Sequence, residues 1–387
     1  MTLAQPSQRL DVVDALRGFA LAAIALLHNL EHFDFYFVPE YLPDWLKQVD
    51  QGVWIVMFLL FAGKSYSIFA LLFGLTFFIQ SDNQARKGRD FKGRFLWRLM
   101  LLFAFGLINT MFYQGDILKT YAVIGIVLIP ASLLPNRWLF ALAIFCLLQP
   151  IEWMQLLQGL QHPVSKLPDP ASWAMFGKMA AYITGNSFAD TVAGNLGNGA
   201  KAVMHWTWES GRITQTAGLF MLGLLAGRTG MFHSVDTHRR TWKRILEVAS
   251  IGYIPLYAAS LHLPTLATNA AVQRPLQTLL TMWANLAFTA VLVAGFVLLF
   301  RRSGWRKAQM QLAPLGRMSL SNYVLQSILG SLIYYGYGLG LYAHTGASYS
   351  LLIGICLVTL QVLLSRWWLR THAQGPLENL WHRLTWL

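Results

Sequence analysis

Long apolar stretches separated by short runs of arginine and lysine constrain this chain more than any other feature. About ten stretches lie near 12–30, 53–80, 95–113, 117–134, 137–156, 211–229, 242–262, 277–300, 315–337 and 348–369. Each approaches the roughly 20 apolar residues that a helix needs to cross a bilayer. The composition agrees: of 387 residues, 55% are hydrophobic and only 12% charged, where a soluble domain carries roughly 25% charge. The mean hydropathy is +0.45. The expected fold is an all-α polytopic membrane protein of about ten transmembrane helices, with residues 1–387 forming a single transmembrane helical domain. The 53–80 stretch is too long for one straight span, and Gly63, Lys64 and Ser65 interrupt it.

The formal net charge of +13 comes from basic residues clustered between the apolar stretches. That pattern argues for the positive-inside rule and against a nucleic-acid partner. The 81–98, 228–244 and 301–314 segments and the 370–387 tail hold these clusters and are expected in the cytoplasm, with both termini. The 31–52 and 157–210 loops then lie outside. The second begins as loop through Pro163, Pro168 and Pro170, and its 172–184 and 198–210 stretches read as interfacial helices or a cap. Cys146 and Cys356 sit in separate apolar stretches, which suits neither a disulfide framework nor a CxxC metal knuckle.

The first apolar stretch carries Asp11, Asp14 and Arg17 at one end and His28, Glu31, His32 and Asp34 at the other. Ionisable groups at membrane depth are costly and mark a pathway or a site. Arg17 and His28 are 11 positions apart, nearly whole helical turns, so they share one face roughly 16 Å apart. Glu31 and His32 fall near the same stripe. A carboxylate beside a histidine is a common general-base arrangement. His28-Asn29-Leu30-Glu31-His32 also matches H-x-x-E-H, so a metal site on His28, Glu31 and His32 is a minority reading.

Other polar groups interrupt the apolar stretches. Lys64 follows Gly63 as at the end of a phosphate loop, but Phe58 stands where that motif needs glycine, so Lys64 is an interface residue or an anion contact. Asp116 is either a helix cap or a cavity carboxylate facing the first-helix cluster, with Gln114 and Lys119 nearby. Arg212 is an interface anchor or the cation that pairs with Glu31 or Asp116; His205 and Glu209 read as surface residues. Arg317, Asn322 and Gln326 form a polar island suited to interhelical bonding or to a phosphate- or amide-containing ligand.

Several motifs resemble the YeiB-like family of bacterial inner-membrane proteins. They are Arg17-Gly18-Phe19-Ala20, Leu72-Phe73-Gly74, Gly115-Asp116-Ile117-Leu118, Gly316-Arg317-Met318, Ser321-Asn322-Tyr323 with Gln326-Ser327, and Gly375-Pro376-Leu377-Glu378 with Trp381 and Leu384-Thr385. The resemblance implies a multi-pass protein of the bacterial inner membrane, within a wider superfamily of transmembrane acyltransferases. It implies acyl transfer by His28 and donor binding by Arg17, with acyl-CoA as a co-substrate and no permanently bound cofactor. The expected reaction moves an acyl group from a cytoplasmic donor to an acceptor at the outer side. His28 acts as general base, Glu31 orients it, Asp116 assists, and Arg17, Lys64, Arg212, Arg317, Asn322 and Gln326 contact donor or substrate. Asn29, Lys64 and Asn322 are the candidate oxyanion partners. The expected partners are the lipid bilayer, a small-molecule or lipid/glycan acceptor, and a second copy in a homo-oligomer. The alternative is a non-enzymatic transporter or lipid-handling protein, in which the same buried charges bind cargo or relay protons.

Overall fold

The computed structural model describes residues 10–162, 168–267 and 269–387; Pro163 lies outside them. No strand occurs among the described residues. The chain enters as α1 (Asp11–Leu30), then α2 (Asp44–Phe61), α3 (Ser65–Ala85) and α4 (Lys92–Thr110). Short α5 (Leu118–Ile124) and α6 (Leu128–Ala131) follow, then α7 (Asn136–Leu147) and α8 (Pro150–Gln161). A string of small helices comes next: α9 (Ala171–Gly177), α10 (Ala180–Ile183), α11 (Phe188–Gly194) and α12 (Ala200–Glu209). The second half holds α13 (Arg212–Arg228), α14 (Arg239–Leu266), α15 (Ala270–Phe300), α16 (Ser303–Met310) and α17 (Ala313–Arg317). The chain closes with α18 (Ser319–Tyr334), α19 (Ala347–Trp368) and α20 (Pro376–Trp386).

Among the described residues, four runs are long and apolar enough to cross a membrane: α2–α3, α14, α15 and α19; α7 with α8, bent by 44°, makes a fifth. α13 and α18, at 17 and 16 residues, are shorter. Exposed large apolar side chains such as Val248, Ile251 and Ile254 on α14 give the surface the character of a membrane protein. The long 53–80 stretch is broken where the sequence suggests. Gly63 takes a left-handed φ of 78° between α2 and α3, and the side chain of Asn285 fills the space a Cβ would need.

α1 is the central element, packed against α2, α3, α17, α18 and α19. Its inner surface is small or aliphatic (Ala15, Leu16, Ala20 and Leu21 are fully buried), which lets neighbouring backbones approach closely. Gly18 lies against the backbone of Leu312, and Gly316 against the backbone of Asp14, so α1 and α17 meet without room for a methyl group at either point. The segment 171–210 folds back as a cap. Met179 and Ile183 join Phe33, Tyr113, Tyr334 and Tyr335 in one buried cluster, and the Gly336 N–H donates to the Ile183 carbonyl at 2.8 Å.

Candidate functional site

A cavity of about 900 Å³ runs along α1 from Leu10 to Ile24, within the size range of small-molecule sites. Residues from α3, α4, α5, α17, α18 and the tail complete its wall, and exposed Arg86 stands at its mouth. Four arginines (Arg17, Arg86, Arg98 and Arg317) face three carboxylates (Asp14, Asp82 and Glu378) around it. Phe69, Phe73, Phe77, Leu99 and Leu102 make much of the remainder apolar. Arg17 pairs with Asp14 at 3.3 Å and donates to Thr76 Oγ1 at 3.0 Å. Arg98 stacks over Trp381 at 4.0 Å and donates to Thr385 Oγ1 at 3.0 Å, while Arg317 donates to the Ala373 carbonyl at 3.3 Å.

Helix α20 closes this wall because Glu378 caps α18. One carboxylate oxygen accepts from the Leu320 and Ser321 N–H groups at 2.7 and 3.1 Å, and the other accepts from the Ser321 hydroxyl at 2.5 Å. An anion at a helix N-terminus satisfies backbone donors that have no intrahelical partner.

The cavity stops one turn short of His28. Tyr323 is the shared residue: it lines the cavity, and its ring centroid lies 6.4 Å from that of His28. The His28 ring also packs at 4.7 Å from Tyr113 and 5.6 Å from Phe33, and its Nδ1 is buried with no hydrogen-bond partner. Beyond α1, His32, Phe33 and Asp34 are consecutive left-handed residues, with φ of 46°, 57° and 70°. Such backbone is held only where the surroundings over-determine it. Three anchors do so: His32 Nε2 bonds Ser350 at 2.9 Å and Thr345 at 3.2 Å, the Phe33 ring is fully buried, and Asp34 accepts from the Tyr113 hydroxyl at 3.1 Å.

The left-handed turn carries Glu31 and Asp34 into one half-buried carboxylate pair. Burial, then the neighbouring Asp34 charge, pushes the Glu31 carboxyl above its ordinary range, while the Tyr36 hydrogen bond and Arg212 pull it down. Burial also raises Asp34, against the Tyr113 hydrogen bond and Arg212. Arg212 faces this pair from the start of α13. Its guanidinium is sandwiched between Tyr66 at 4.2 Å and Trp206 at 3.9 Å, and its Nε is buried without a hydrogen-bond partner.

The remaining sequence candidates separate from this arrangement. Glu31 is not the orienting partner of His28; its hydrogen bond goes to Tyr36. Asp116 is fully buried and fixes a turn, accepting from Asn109 Nδ2 at 2.9 Å and from the Lys119 N–H at 3.0 Å. Lys64 sits at the α2–α3 break and donates to the Phe58 carbonyl at 3.4 Å. Asn322 is spent between helices, on Ser365 Oγ at 2.8 Å and the Met318 carbonyl at 3.0 Å. Gln326, one turn on, is buried with both amide atoms unpartnered and does not line the cavity. Glu209 accepts from the Ser172 hydroxyl at 2.5 Å, and Gln114 accepts from Tyr182 at 2.8 Å beneath the cap. His28, Glu31 and His32 form no ligand set: among the described residues no three His, Cys, Asp or Glu side chains are grouped to hold a metal. Sequence reasoning passed over Tyr113 and Tyr121 and met Tyr323 only within the Ser321-Asn322-Tyr323 motif, because a tyrosine in an apolar stretch has no charge to mark it.

Comparison with known proteins finds relatives that align over nearly the whole chain. The family described as "Protein of unknown function (DUF418)" matches residues 226–387, which hold α14 to α20 and include Arg317, Tyr323 and Glu378. A Bacillus subtilis protein, "Uncharacterized protein YxaH", is 28% identical across 100% of this chain and 97% of its own length. The Escherichia coli "Uncharacterized protein YeiB" is 26% identical across 98% of this chain and 96% of its own. A 39.9 kDa protein encoded in the amylase 3′ region of Bacillus acidopullulyticus is 24% identical across 98% of this chain. Over nearly its whole length the chain is similar to YeiB-like proteins, and its long apolar helices have the character of a membrane protein.

Proposed function

We propose that this protein is a multi-pass acyltransferase of the bacterial inner membrane, taking its acyl group from a cytoplasmic acyl-CoA. The observation that carries the reading is the continuity from the arginine-lined cavity, through Tyr323, to His28. A donor with an anionic head and an apolar acyl chain is matched by arginines at the mouth and phenylalanines and leucines in the depth. The basic clusters support ten spans with both termini in the cytoplasm, which turns the Arg86 mouth inward. His28 lies at the deep end of this path, on the same face of α1 as Arg17. It takes the proton of an acceptor hydroxyl or amine that approaches under the 171–210 cap. Arg212 with Glu31 and Asp34 forms the polar wall on the acceptor side.

The test uses full-length protein in liposomes with acetyl-CoA and palmitoyl-CoA as donors and free thiol as the readout. Wild type releases thiol and His28→Ala does not. No thiol release by wild type, with no thermal stabilisation by either ester, sinks the enzyme and leaves the carrier, which would instead move its cargo across the same vesicles.

A further inference from the structure

We propose that Tyr323 is the hydrogen-bond donor that stabilises the oxyanion of this acyl transfer; the inference rests on the acyltransferase reading and names a catalytic residue within it. When an acceptor oxygen adds to a thioester, its proton passes to His28 and the carbonyl electron pair moves onto the carbonyl oxygen. Collapse re-forms the C=O bond and breaks the C–S bond, and the departing thiolate takes the proton back from His28. A fixed donor facing the carbonyl oxygen lowers the barrier to both steps.

None of the three donors that the sequence offers lines the cavity, and each is bonded to another partner. The Asn29 amide donates to the Ala25 carbonyl at 2.7 Å, and its oxygen accepts from Tyr334 at 3.1 Å. Lys64 bonds Phe58 and Asn322 bonds Ser365 and Met318. The neighbouring tyrosines are committed as well. Tyr113 donates its proton to Asp34, and Tyr121 donates to the Tyr66 carbonyl at 2.5 Å. Tyr323 differs: its hydroxyl accepts from the Ile117 N–H at 3.2 Å, and its own proton has no acceptor among the described residues. It is also the tyrosine that both lines the cavity and meets the His28 ring.

The accepted N–H fixes the phenol oxygen and polarises its O–H for donation. Ile117 is in turn fixed by the turn that Asp116 holds through Asn109 and Lys119. Asp116 is thereby a positioning residue for Tyr323 and does not touch the reacting atoms. A donor held by a backbone group keeps its place during reaction, which is the condition for oxyanion stabilisation to contribute.

The experiment follows thiol release from acetyl-CoA and palmitoyl-CoA by full-length protein in liposomes, with water as acceptor. Tyr323→Phe removes one oxygen; kcat is expected to fall about 10²–10³-fold with the donor KM within about twofold. Replacing Tyr323 by 3-fluorotyrosine keeps the hydroxyl and makes it more acidic, so kcat is expected to shift with phenol acidity at unchanged KM. This variant also decides the matter where Tyr323→Phe does not fold, since a structural tyrosine would leave kcat insensitive to acidity. Unchanged kcat in either variant, beside a His28→Ala protein that has lost turnover, overturns the role of Tyr323 and leaves the acyltransferase standing. No thiol release by wild type, with no thermal stabilisation by either ester, removes both.

Discussion

The Arg17 end and the His28 end of α1 are built from opposite materials. Around Arg17, two of the cavity's arginines are held by close partners: Asp14 and Thr76 for Arg17, Trp381 and Thr385 for Arg98. Around His28 the neighbours are rings, and the polar atoms that matter, His28 Nδ1 and Arg212 Nε, are buried with no hydrogen-bond partner. One end of the helix has its charge pre-arranged beside an open volume. The other keeps buried polar groups unsatisfied, at a cost of about 1–3 kcal/mol each. A protein built only for stability has no use for the second arrangement; one that must bind and then react uses both.

The largest effect that tests this division comes from His28→Ala. On the proposed reading, loss of the general base should lower turnover of acyl-CoA about 10²–10⁴-fold, with donor KM unchanged because His28 lies beyond the cavity. A matching rise in KM would erase the distinction between the two ends. Arg17→Gln is the reciprocal change, with an expected rise in donor KM of about 10–150-fold, from a charge-assisted contact worth about 1.5–3 kcal/mol, and kcat retained. A kcat collapse with normal KM would move Arg17 from binding to chemistry.

Glu378→Ala removes the cap on α18. It should cost about 0.5–2 kcal/mol, read as a lower thermal midpoint in detergent, and an unchanged midpoint would show the α20 contact to be incidental. The smallest effect is in pH dependence. Because folding raises the Glu31 carboxyl, its protonated form is favoured in the folded state. That contribution is present below the ordinary carboxylate range and is lost as pH rises through the raised value. Wild type should therefore lose stability relative to Glu31→Gln as pH climbs from the carboxylate range, and parallel curves would refute the pairing with Asp34.

Part of the arrangement at the Arg17 end was legible in the sequence, since Asp14 and Arg17 stand one turn apart on α1, but Asp82, Arg98 and Glu378 reach the cavity from other helices. Arg17 and Arg317 read as ligand contacts and they line one cavity. The break at Gly63 was legible because glycine, lysine and serine interrupt an apolar run. The His28 end was legible only in part. His28 itself stands out, but the left-handed His32–Phe33–Asp34 turn has no glycine to announce it, and that turn sends Glu31 to Tyr36 rather than to His28. Asn322 and Tyr323 are adjacent in sequence, yet their side chains go to different neighbours: Asn322 bonds α19, while Tyr323 lines the cavity. Residue type alone favours the amide as the functional group, and only packing reverses the choice.

The close crossing of α1 and α17 makes the two helices a caliper. Arg17 and Arg317 are sequence neighbours of Gly18 and Gly316, where the two backbones touch, so the separation of the backbones that carry the two cations is set by backbone thickness. Widening the cavity elsewhere leaves that jaw width alone. A single added methyl at either glycine would spread it and, on the proposed reading, change which anionic donors fit without altering any charge.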